Sequence, residues 1–563
     1  MERQSNVKGF TILSAASLIN KVLGVLYVPI VTLILGNYGN GIYEQGYKLY
    51  QMAFVITNTG IPIALSKIIS EQLASEKYNV SYRTFRITTL LLLVAGTFTS
   101  ILTAALAMPM AKLMHSPESS MTIMVLAPAM LFTSISCIFR GYFQGRSNMV
   151  PTSISQVVEQ AVNAVVTIAF AWLAYQYGVK IAIANGITGD TEIFTEAVRY
   201  AAAGAAVGTT AGAFASMIYL YRTYSRKKPQ ITSELKYSTT DGSEYTTSGI
   251  LKTIFFHAIP ITLGSLAVYS TQLIDVINTK SRLIVAGFSE FEATSMYGIL
   301  STQYTKVLFI PVTFATALGT AILPSISAAA AVNDRALLNR RIQNAFRVIF
   351  MIAVPAAVGL TVMAKPIIYI LFPKSPDGWD LLLMGSWTLI LISLVSVQTS
   401  VLQGLGKTYV PTVHMVIGLL LKLVVNYTLI SVRSINIRGA IIGNAVCYIF
   451  AAIMNYRSLK KFTGVRLNVR KLFNRPLSVS IIMGLLVYLI YHGFVFMTEW
   501  FIKSVFVLNA VCGFAAIVVG CVIYYLLMIV AGGITANDIR SLPMGERILA
   551  FTVNIPYMDR YLT

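Results

Sequence analysis

The segment YFQGRSNMVPT at residues 142–152 returns in the second half of the chain as VLQGLGKTYVPT at residues 401–412. Both copies place Gln-Gly before Val-Pro-Thr, and the second copy has one extra residue between these two elements. Each copy lies between long apolar runs, and the Gln-Gly pairs begin at residues 144 and 403. A motif that recurs at such a separation indicates an internal duplication of the fold.

Weaker matches keep nearly the same separation. They are Gly60-Ile61-Pro62 with Leu65-Ser66 against Gly319 with Leu323-Pro324-Ser325, Arg86 against Arg347, and Pro109 against Pro366. Each copy covers six apolar runs, an even number, so both halves have the same orientation in a membrane. Parallel repeats of this kind are typical of transporters, and their substrate site is expected between the halves.

The composition indicates a membrane protein. Hydrophobic residues make up 56% of the 563 residues and charged residues only 12%, roughly half the charged share of a soluble domain. Runs of about 20 apolar residues, enough to cross the hydrocarbon core, recur between residues 10 and 531. They lack the alternation of a membrane barrel, so we predict an all-α polytopic membrane protein with about 14 transmembrane helices. The first run, 10–35, is too long for a cleavable signal peptide.

The charge distribution predicts the orientation of the spans. The net charge of +21 is spread over short loops between apolar runs rather than gathered on one domain, which argues against nucleic-acid binding. Under the positive-inside rule, Arg140 and Arg146, the segment 222–228 and the segment 457–475 are cytoplasmic. We therefore expect a multi-pass protein of the plasma membrane with both termini in the cytoplasm, although Arg433 and Arg438 flank a loop predicted to be external.

The runs and the repeat together predict the domain organisation. We expect two six-helix lobes followed by two C-terminal helices. The predicted boundaries are an N-lobe at 1–223, a cytoplasmic linker at 224–249, a C-lobe at 250–462, a two-helix extension at 463–531 and a cytoplasmic tail at 532–563.

Ionisable and polar side chains inside the spans are the candidate functional residues, because such groups are costly in lipid. Lys21 lies near the middle of the first span on the same helical face as Ser17, and it either lines a water-filled cavity or is paired structurally. In the fifth span, Glu159 and Asn163 belong to a stripe with four-residue spacing. That stripe indicates either a cavity lining or hydrogen bonds between helices.

The seventh span carries Asp275, a candidate for ion or proton coupling together with Glu159. An internal pair with a neighbouring base explains Asp275 equally well. The balance inside the spans is nevertheless cationic, since Lys21, Lys306 and Lys422 outnumber these two carboxylates. A surplus of ammonium groups suits an anionic head group such as a diphosphate.

The sequence offers no sign of an enzyme. It has no Walker A motif for ATP hydrolysis and no catalytic triad order. The four cysteines have no metal-ligand or disulfide spacing. We therefore expect a transporter without cofactor or metal.

Residues 140–152, continued by Ser155-Gln156 and Glu159-Gln160, resemble the MurJ/SpoVB type of flippase in the MOP superfamily. The stretch Ala317-Leu318-Gly319-Thr320, continuing through residues 323–327, carries the same resemblance. It extends over essentially the whole chain, including the span count and the repeat.

The resemblance implies transport of lipid II, the undecaprenyl-diphosphate-linked disaccharide-pentapeptide, from the cytoplasmic to the outer leaflet by alternating access. It also implies two lobes around a cationic cavity, a MATE-like fold, contact with membrane lipids and the cell-wall synthesis machinery, and action as a monomer. By position, Lys21 and Lys306 stand where Gram-negative members have cavity arginines. Lysine keeps the charge but lacks the two-pronged guanidinium.

Two departures from the family pattern change the expected head-group contacts. An Arg-Asp pair after the first motif is replaced by Tyr27-Val28, and a basic pair late in the second span has no counterpart near Thr57-Asn58. The loops at Gln144-Gly145 and at Gln403-Gly404 are candidate gates at the cytoplasmic ends, or else simply turns that join helices.

Three alternatives remain open. The same fold could export another polyprenyl-linked glycan, such as a teichoic acid or capsule unit. A MATE-type drug/cation antiporter would have an acidic rather than a basic cavity. A membrane glycosyltransferase or polymerase would need a carboxylate at a membrane face.

Overall fold

The computed structural model describes residues 6–240, 245–331, 334–465, 467–536 and 545–555. These residues form helices and their connections, with no strand among them. The first ten helices are α1 Asn6–Asn58, α2 Gly60–Ala74, α3 Tyr78–Ala105, α4 Ala107–Leu113, α5 Ser119–Gly145, α6 Val150–Ala184, α7 Asp190–Glu234, α8 Thr247–Val285, α9 Glu290–Gly298 and α10 Lys306–Ala331. A 3-10 turn, Leu235–Tyr237, follows α7, and a π-helical turn, Ile299–Thr305, joins α9 to α10.

The helices that follow complete the described chain. They are α11 Arg335–Val362, α12 Ala364–Leu371, α13 Trp379–Gly385, α14 Thr388–Gly404, α15 Tyr409–Leu429, α16 Arg438–Thr463, α17 Val469–Thr498, α18 Val505–Val530 and α19 Gly545–Val553. The prediction of an all-α membrane fold is confirmed.

Helix α1 consists of two helical segments that meet at Gly36. The backbone there has φ 61° and ψ −172°, a region that is essentially restricted to glycine. A Cβ at Gly36 would also lie 3.1 Å from Cζ of Phe194. The break falls between the first two predicted spans, so Gly36 allows the chain to leave one helix and begin the next.

The described residues contain eleven helices that are long and apolar enough to cross a membrane, or twelve if α13 and α14, bent by 49°, form one span. The predicted count of fourteen is not confirmed. One candidate, Leu26–Ala74, covers parts of the first two predicted spans across the Gly36 break. The predicted eighth span, 295–325, is helical but is not among the candidates, and the π-helical turn lies inside it.

The sequence repeat corresponds to a repeated helix break. Helix α3 is separated from α4 by Leu106 alone, and α11 is separated from α12 by Met363 alone. Leu106 has φ −90° and ψ 3°, and Met363 has φ −97° and ψ 14°. The prolines matched in the sequence, Pro109 and Pro366, are each the third residue of the short second helix.

The helix ends that carry the Gln-Gly motif also match. After α5, the amide of Ser147 donates to the Gln144 carbonyl and the amide of Asn148 to the Phe143 carbonyl. After α14, Gly406 donates to Gln403 and Lys407 to Leu402 in the same pattern. Both helices therefore end in a Schellman motif with a left-handed residue, Ser147 at φ 54° and Gly406 at φ 74°.

The chain divides into two compact units, residues 1–302 with 423–440 and residues 303–422 with 441–563. In the first unit α6 packs along α7. In the second, α10 packs on α14, and α11 packs on α17, which packs on α18. These units begin and end at other residues than the domains inferred from the repeat, and the domain boundaries stay a prediction.

Glycines at four-residue spacing bring α6 and α7 into close contact. A Cβ at Gly204 would lie 2.4 Å from the Phe170 carbonyl oxygen, and one at Gly212 would lie 2.5 Å from the Glu159 carbonyl oxygen. At Gly208 the distance to Thr167 Oγ1 would be 2.0 Å. Small residues at this spacing allow membrane helices to approach closely, which brings the polar stripe of α6 against α7.

Candidate functional site

The polar stripe of α6 begins in a cluster formed by Arg140, Ser155, Glu159 and Ser216, called here the Arg140 cluster. Arg140 Nη2 lies 2.6 Å from Glu159 Oε2 and 2.9 Å from Ser216 Oγ, and Arg140 Nε donates to Ser155 Oγ at 3.0 Å. The cluster joins α5, α6 and α7. Arg140, predicted in a cytoplasmic loop, lies inside α5 with a side chain only 14% exposed.

The next residues of the stripe bond within α6 and to neighbouring helices. Thr167 Oγ1 donates to Asn163 Oδ1 at 2.9 Å and to the Ala205 carbonyl of α7 at 3.1 Å. The Tyr27 hydroxyl of α1 hydrogen bonds with the Asn163 side chain. Hydrogen bonding between helices therefore accounts for these contacts of the stripe, while the Glu159 side chain remains 30% exposed.

Lys21 and Ser17 lie in α1, but their side chains are outside the described part of the structure. Their described neighbours show where this part of α1 runs. A Cβ at Gly24 would lie 3.6 Å from Gln160 Nε2, and Tyr27 reaches Asn163. This section of α1 therefore passes beside the polar stripe of α6.

Lys306 is the first residue of α10 and directly follows the π-helical turn Ile299–Thr305. π-helical turns are rare and occur frequently at functional sites. Gln303 in this turn is fully buried and bonds to the main chain of residues 375 and 378. Lys306 itself is half-buried. Nothing in the sequence ILSTQYT signals the extra residue of a π turn.

Asp275 of α8 accepts a hydrogen bond from Asn426 Nδ2 at 2.9 Å. Asn426, on α15, is fully buried. Two turns further along α8, the Arg282 guanidinium lies 4.1 Å from the ring centre of Tyr427. Lys422, the third lysine of the cationic surplus, is also fully buried.

The two candidate gating loops pack closely inside their own units. A Cβ at Gly145 would lie 2.8 Å from both Ser66 O and Ile69 Cβ, and one at Gly404 would lie 2.9 Å from Ile326 Cγ2. Gln144 and Gln403 supply carbonyls to the Schellman motifs. These contacts explain why glycine follows glutamine in both copies, and the gating role stays a prediction.

Sequence reasoning missed some buried charges of the first unit. Lys280, only 1% exposed, lies 4.0 Å from Glu118. The position of Lys280 in an apolar run could have identified it as a candidate. Its partner Glu118 could not be predicted, because Glu118 belongs to a loop far away in the sequence. Within the described ranges, no three His, Cys, Asp or Glu side chains come together in a way that could hold a metal ion.

An all-helical chain with many apolar spans, a duplicated architecture and charged side chains inside its helices is characteristic of a polytopic membrane transporter. The chain belongs to the family described as "Polysaccharide biosynthesis protein", whose model matches residues 6–330. A second model, MatE, matches residues 260–428.

Curated relatives agree with this assignment, and a solved structure shares the fold. Lipid II flippase MurJ of Bacillus subtilis (strain 168) is 27% identical over 498 residues, which cover 85% of this chain and 87% of that protein. Stage V sporulation protein B of the same organism is 24% identical over 554 residues, covering 98% and 100%. The solved structure "Lipid II flippase MurJ, inward closed conformation" matches with a TM-score of 0.63 at 15% identity, over 92% of this chain and 98% of that one. The resemblance inferred from the motifs is confirmed.

Proposed function

We propose that this chain is a flippase that moves lipid II, the undecaprenyl-diphosphate-linked peptidoglycan precursor, from the inner to the outer leaflet by alternating access. The observation that carries the proposal is the likeness along most of the chain to a lipid II flippase of Bacillus subtilis. The protein acts in the plasma membrane with both termini in the cytoplasm, as a monomer beside the cell-wall synthesis machinery.

The proposed substrate contacts follow from charge. Lys21 and Lys306 neutralise the diphosphate, because ammonium groups attract phosphate strongly where water is scarce. Ser17, Glu159 and Asn163 contact the polar head group, while the polyprenyl tail stays in lipid. The position of Lys306 after a π turn supports its role, since irregular helix geometry is often associated with function.

Asp275 and Glu159 are the proposed sites of ion or proton coupling. Glu159 is held by Arg140, so loss of its charge would weaken the Arg140 cluster. Asp275 accepts a hydrogen bond from the neutral amide of Asn426, a contact that tolerates a change of charge more easily. Asp275→Asn should therefore reduce the dependence of transport on an ion gradient more than Glu159→Gln does.

The second candidate function is export of another polyprenyl-linked glycan by the same cycle. The departures at Tyr27-Val28 and near Thr57-Asn58 favour it, because they change the residues that the resemblance assigns to the head group. The MatE match over residues 260–428 keeps a cation antiporter as the third candidate. Competition by organic cations would distinguish the antiporter from both flippases.

The direct test measures the amount of lipid II in the inner and in the outer leaflet of cells that are depleted of their own flippase and supplied with this protein. Lys21→Ala and Lys306→Ala are compared with Lys67→Ala at matched expression, because Lys67 is 53% exposed in a surface pair with Glu71. We expect the parent and the Lys67 variant to restore outer-leaflet lipid II and the other two to fail. A stably inserted parent that restores nothing would refute lipid II as substrate and leave another glycan as the leading candidate.

A further inference from the structure

We propose that Gln303 is a positioning residue that fixes the π-helical turn and so sets the direction of Lys306, an inference that rests on the proposed role of Lys306 in transport. A π turn holds one residue more per turn than an α-helix. One residue of an α-helix corresponds to a rotation of ~100°. The geometry of residues 303–305 therefore decides which way Lys306, the next residue, faces within its own unit.

Gln303 ties this turn to the connection between α12 and α13. Its Nε2 donates to the Ser375 carbonyl at 2.7 Å, and its Oε1 accepts from the Gly378 amide at 2.8 Å. The side chain is fully buried. Both ends of one amide thus bond to the main chain of a segment 72 to 75 residues away in the sequence, which holds the turn at a fixed distance from that segment.

Tyr304 makes a second attachment beside the first. Its hydroxyl lies 3.0 Å from Thr388 Oγ1 and donates to the Gly385 carbonyl at 3.3 Å. A Cβ at Gly385 would lie 2.3 Å from the Tyr304 ring, so the ring packs directly on the main chain. The turn is thereby bonded to the bend between α13 and α14, which measures 49°.

Gln303 carries no charge, so its proposed effect on Lys306 comes from geometry alone. Gln303 precedes Lys306 by three residues, and replacing it with leucine removes both hydrogen bonds while the charge of the site stays unchanged. In enzymes, a misplacement of ~1 Å lowers the rate by up to ~100-fold, and we expect transport to depend in the same way on how the charged group of Lys306 meets its ligand. We expect Gln303→Leu to lower transport of lipid II by about tenfold.

The experiment combines transport with a measurement at position 306. Gln303→Leu and the milder Tyr304→Phe are compared with Gln398→Leu, which removes a buried glutamine of α14 that is 2% exposed. Outer-leaflet lipid II is measured at matched membrane levels. Each variant is also combined with Lys306→Cys and Cys521→Ser, since Cys521 is the exposed cysteine among the four, and treated with an aminoethyl thiosulfonate that creates a lysine-like ammonium.

The expected result is reduced transport and an altered modification rate at position 306 for Gln303→Leu and Tyr304→Phe, with neither change for Gln398→Leu. The ammonium reagent should restore transport to Lys306→Cys alone and fail to do so in the Gln303→Leu background. An unaltered modification rate in both variants would overturn the positioning role, even if transport fell. If the parent restores no lipid II, the proposed function fails, while the modification rates still test the positioning of residue 306.

Discussion

The guanidinium of Arg140 bonds to three side chains from two neighbouring helices: Ser155 and Glu159 on α6 and Ser216 on α7. Ser155 and Ser216 are fully buried, and Arg140 is nearly so. A buried charge is stable only when its partners are complete. The cluster therefore holds α5, α6 and α7 in register, and each of its members depends on the others.

Removing Arg140 should be far more costly than removing an exposed arginine. We expect Arg140→Ala to lower stability by about 3 kcal/mol, because Glu159 is left without its cation. Arg199→Ala breaks a pair of similar length, 2.8 Å, in which Arg199 is 39% exposed, and should cost less than about 1 kcal/mol. Thermal unfolding in detergent measures the loss of stability in both variants. Equal decreases in melting temperature would show that the Arg140 cluster stabilises the protein no more than an exposed ion pair does.

A second prediction concerns the stability cost of replacing Gly36. Its φ 61° and ψ −172° suit glycine alone, so Gly36→Ala should cost about 1–3 kcal/mol. Gly493→Ala is the control, because Gly493 is in α17 and a Cβ there would meet nothing within 4 Å. Melting temperatures of the two variants check this, and an unchanged Gly36→Ala would mean that the break in α1 tolerates a side chain.

Helices α6 and α7 show how sequence spacing becomes a contact between elements. The stripe residues Glu159, Asn163 and Thr167 on α6 meet the main chain of α7 where Gly208 and Gly212 leave room. The four-residue spacing predicts the polar face of α6. What this face meets could not be predicted, because Arg140 belongs to a different helix and the sequence places it at the end of an apolar run.

Gly208→Leu should separate these two helices. A side chain there would overlap Thr167 Oγ1, 2.0 Å from the Cβ position, and would break the bond from Thr167 to the Ala205 carbonyl. Overpacking of this kind costs about 1–3 kcal/mol or more. Gly493→Leu is the matched control, and the yield of monodisperse protein after mild heating is the measurement. Equal yields would mean that close packing of α6 on α7 is dispensable.

Irregular elements are the least predictable part of the fold. The apolar runs and the Gln-Gly repeat predict the helices and the duplicated helix ends, since both depend on local sequence. The π turn before Lys306 is different, because its stability comes from contacts of Gln303 and Tyr304 with residues 375–388. Lys306 could be singled out from its charge in an apolar run, but its position after a π turn required the structure.

At the scale of the whole molecule, the charge distribution predicts a direction for every span. Helix α7, Asp190–Glu234, allows a test within one element, because its two ends are predicted to lie on opposite sides of the membrane. Thr188→Cys and Ser233→Cys, both at exposed positions, are made with Cys521→Ser. A membrane-impermeant thiol reagent should label the first in intact cells and the second only after permeabilisation. The reverse pattern would invert the predicted topology and place both termini outside.

In the proposed function, transport of a diphosphate-linked lipid depends on the cationic side chains of Lys21 and Lys306. The most direct measurement is the rate at which purified protein in proteoliposomes exposes lipid II to an external enzyme that modifies only the outer leaflet. We predict that the parent is active, that Lys306→Arg retains most of the rate, and that Lys306→Ala is about tenfold slower, equivalent to about 1.4 kcal/mol. Equal rates for the parent, Lys306→Ala and protein-free vesicles would show that this chain does not move lipid II.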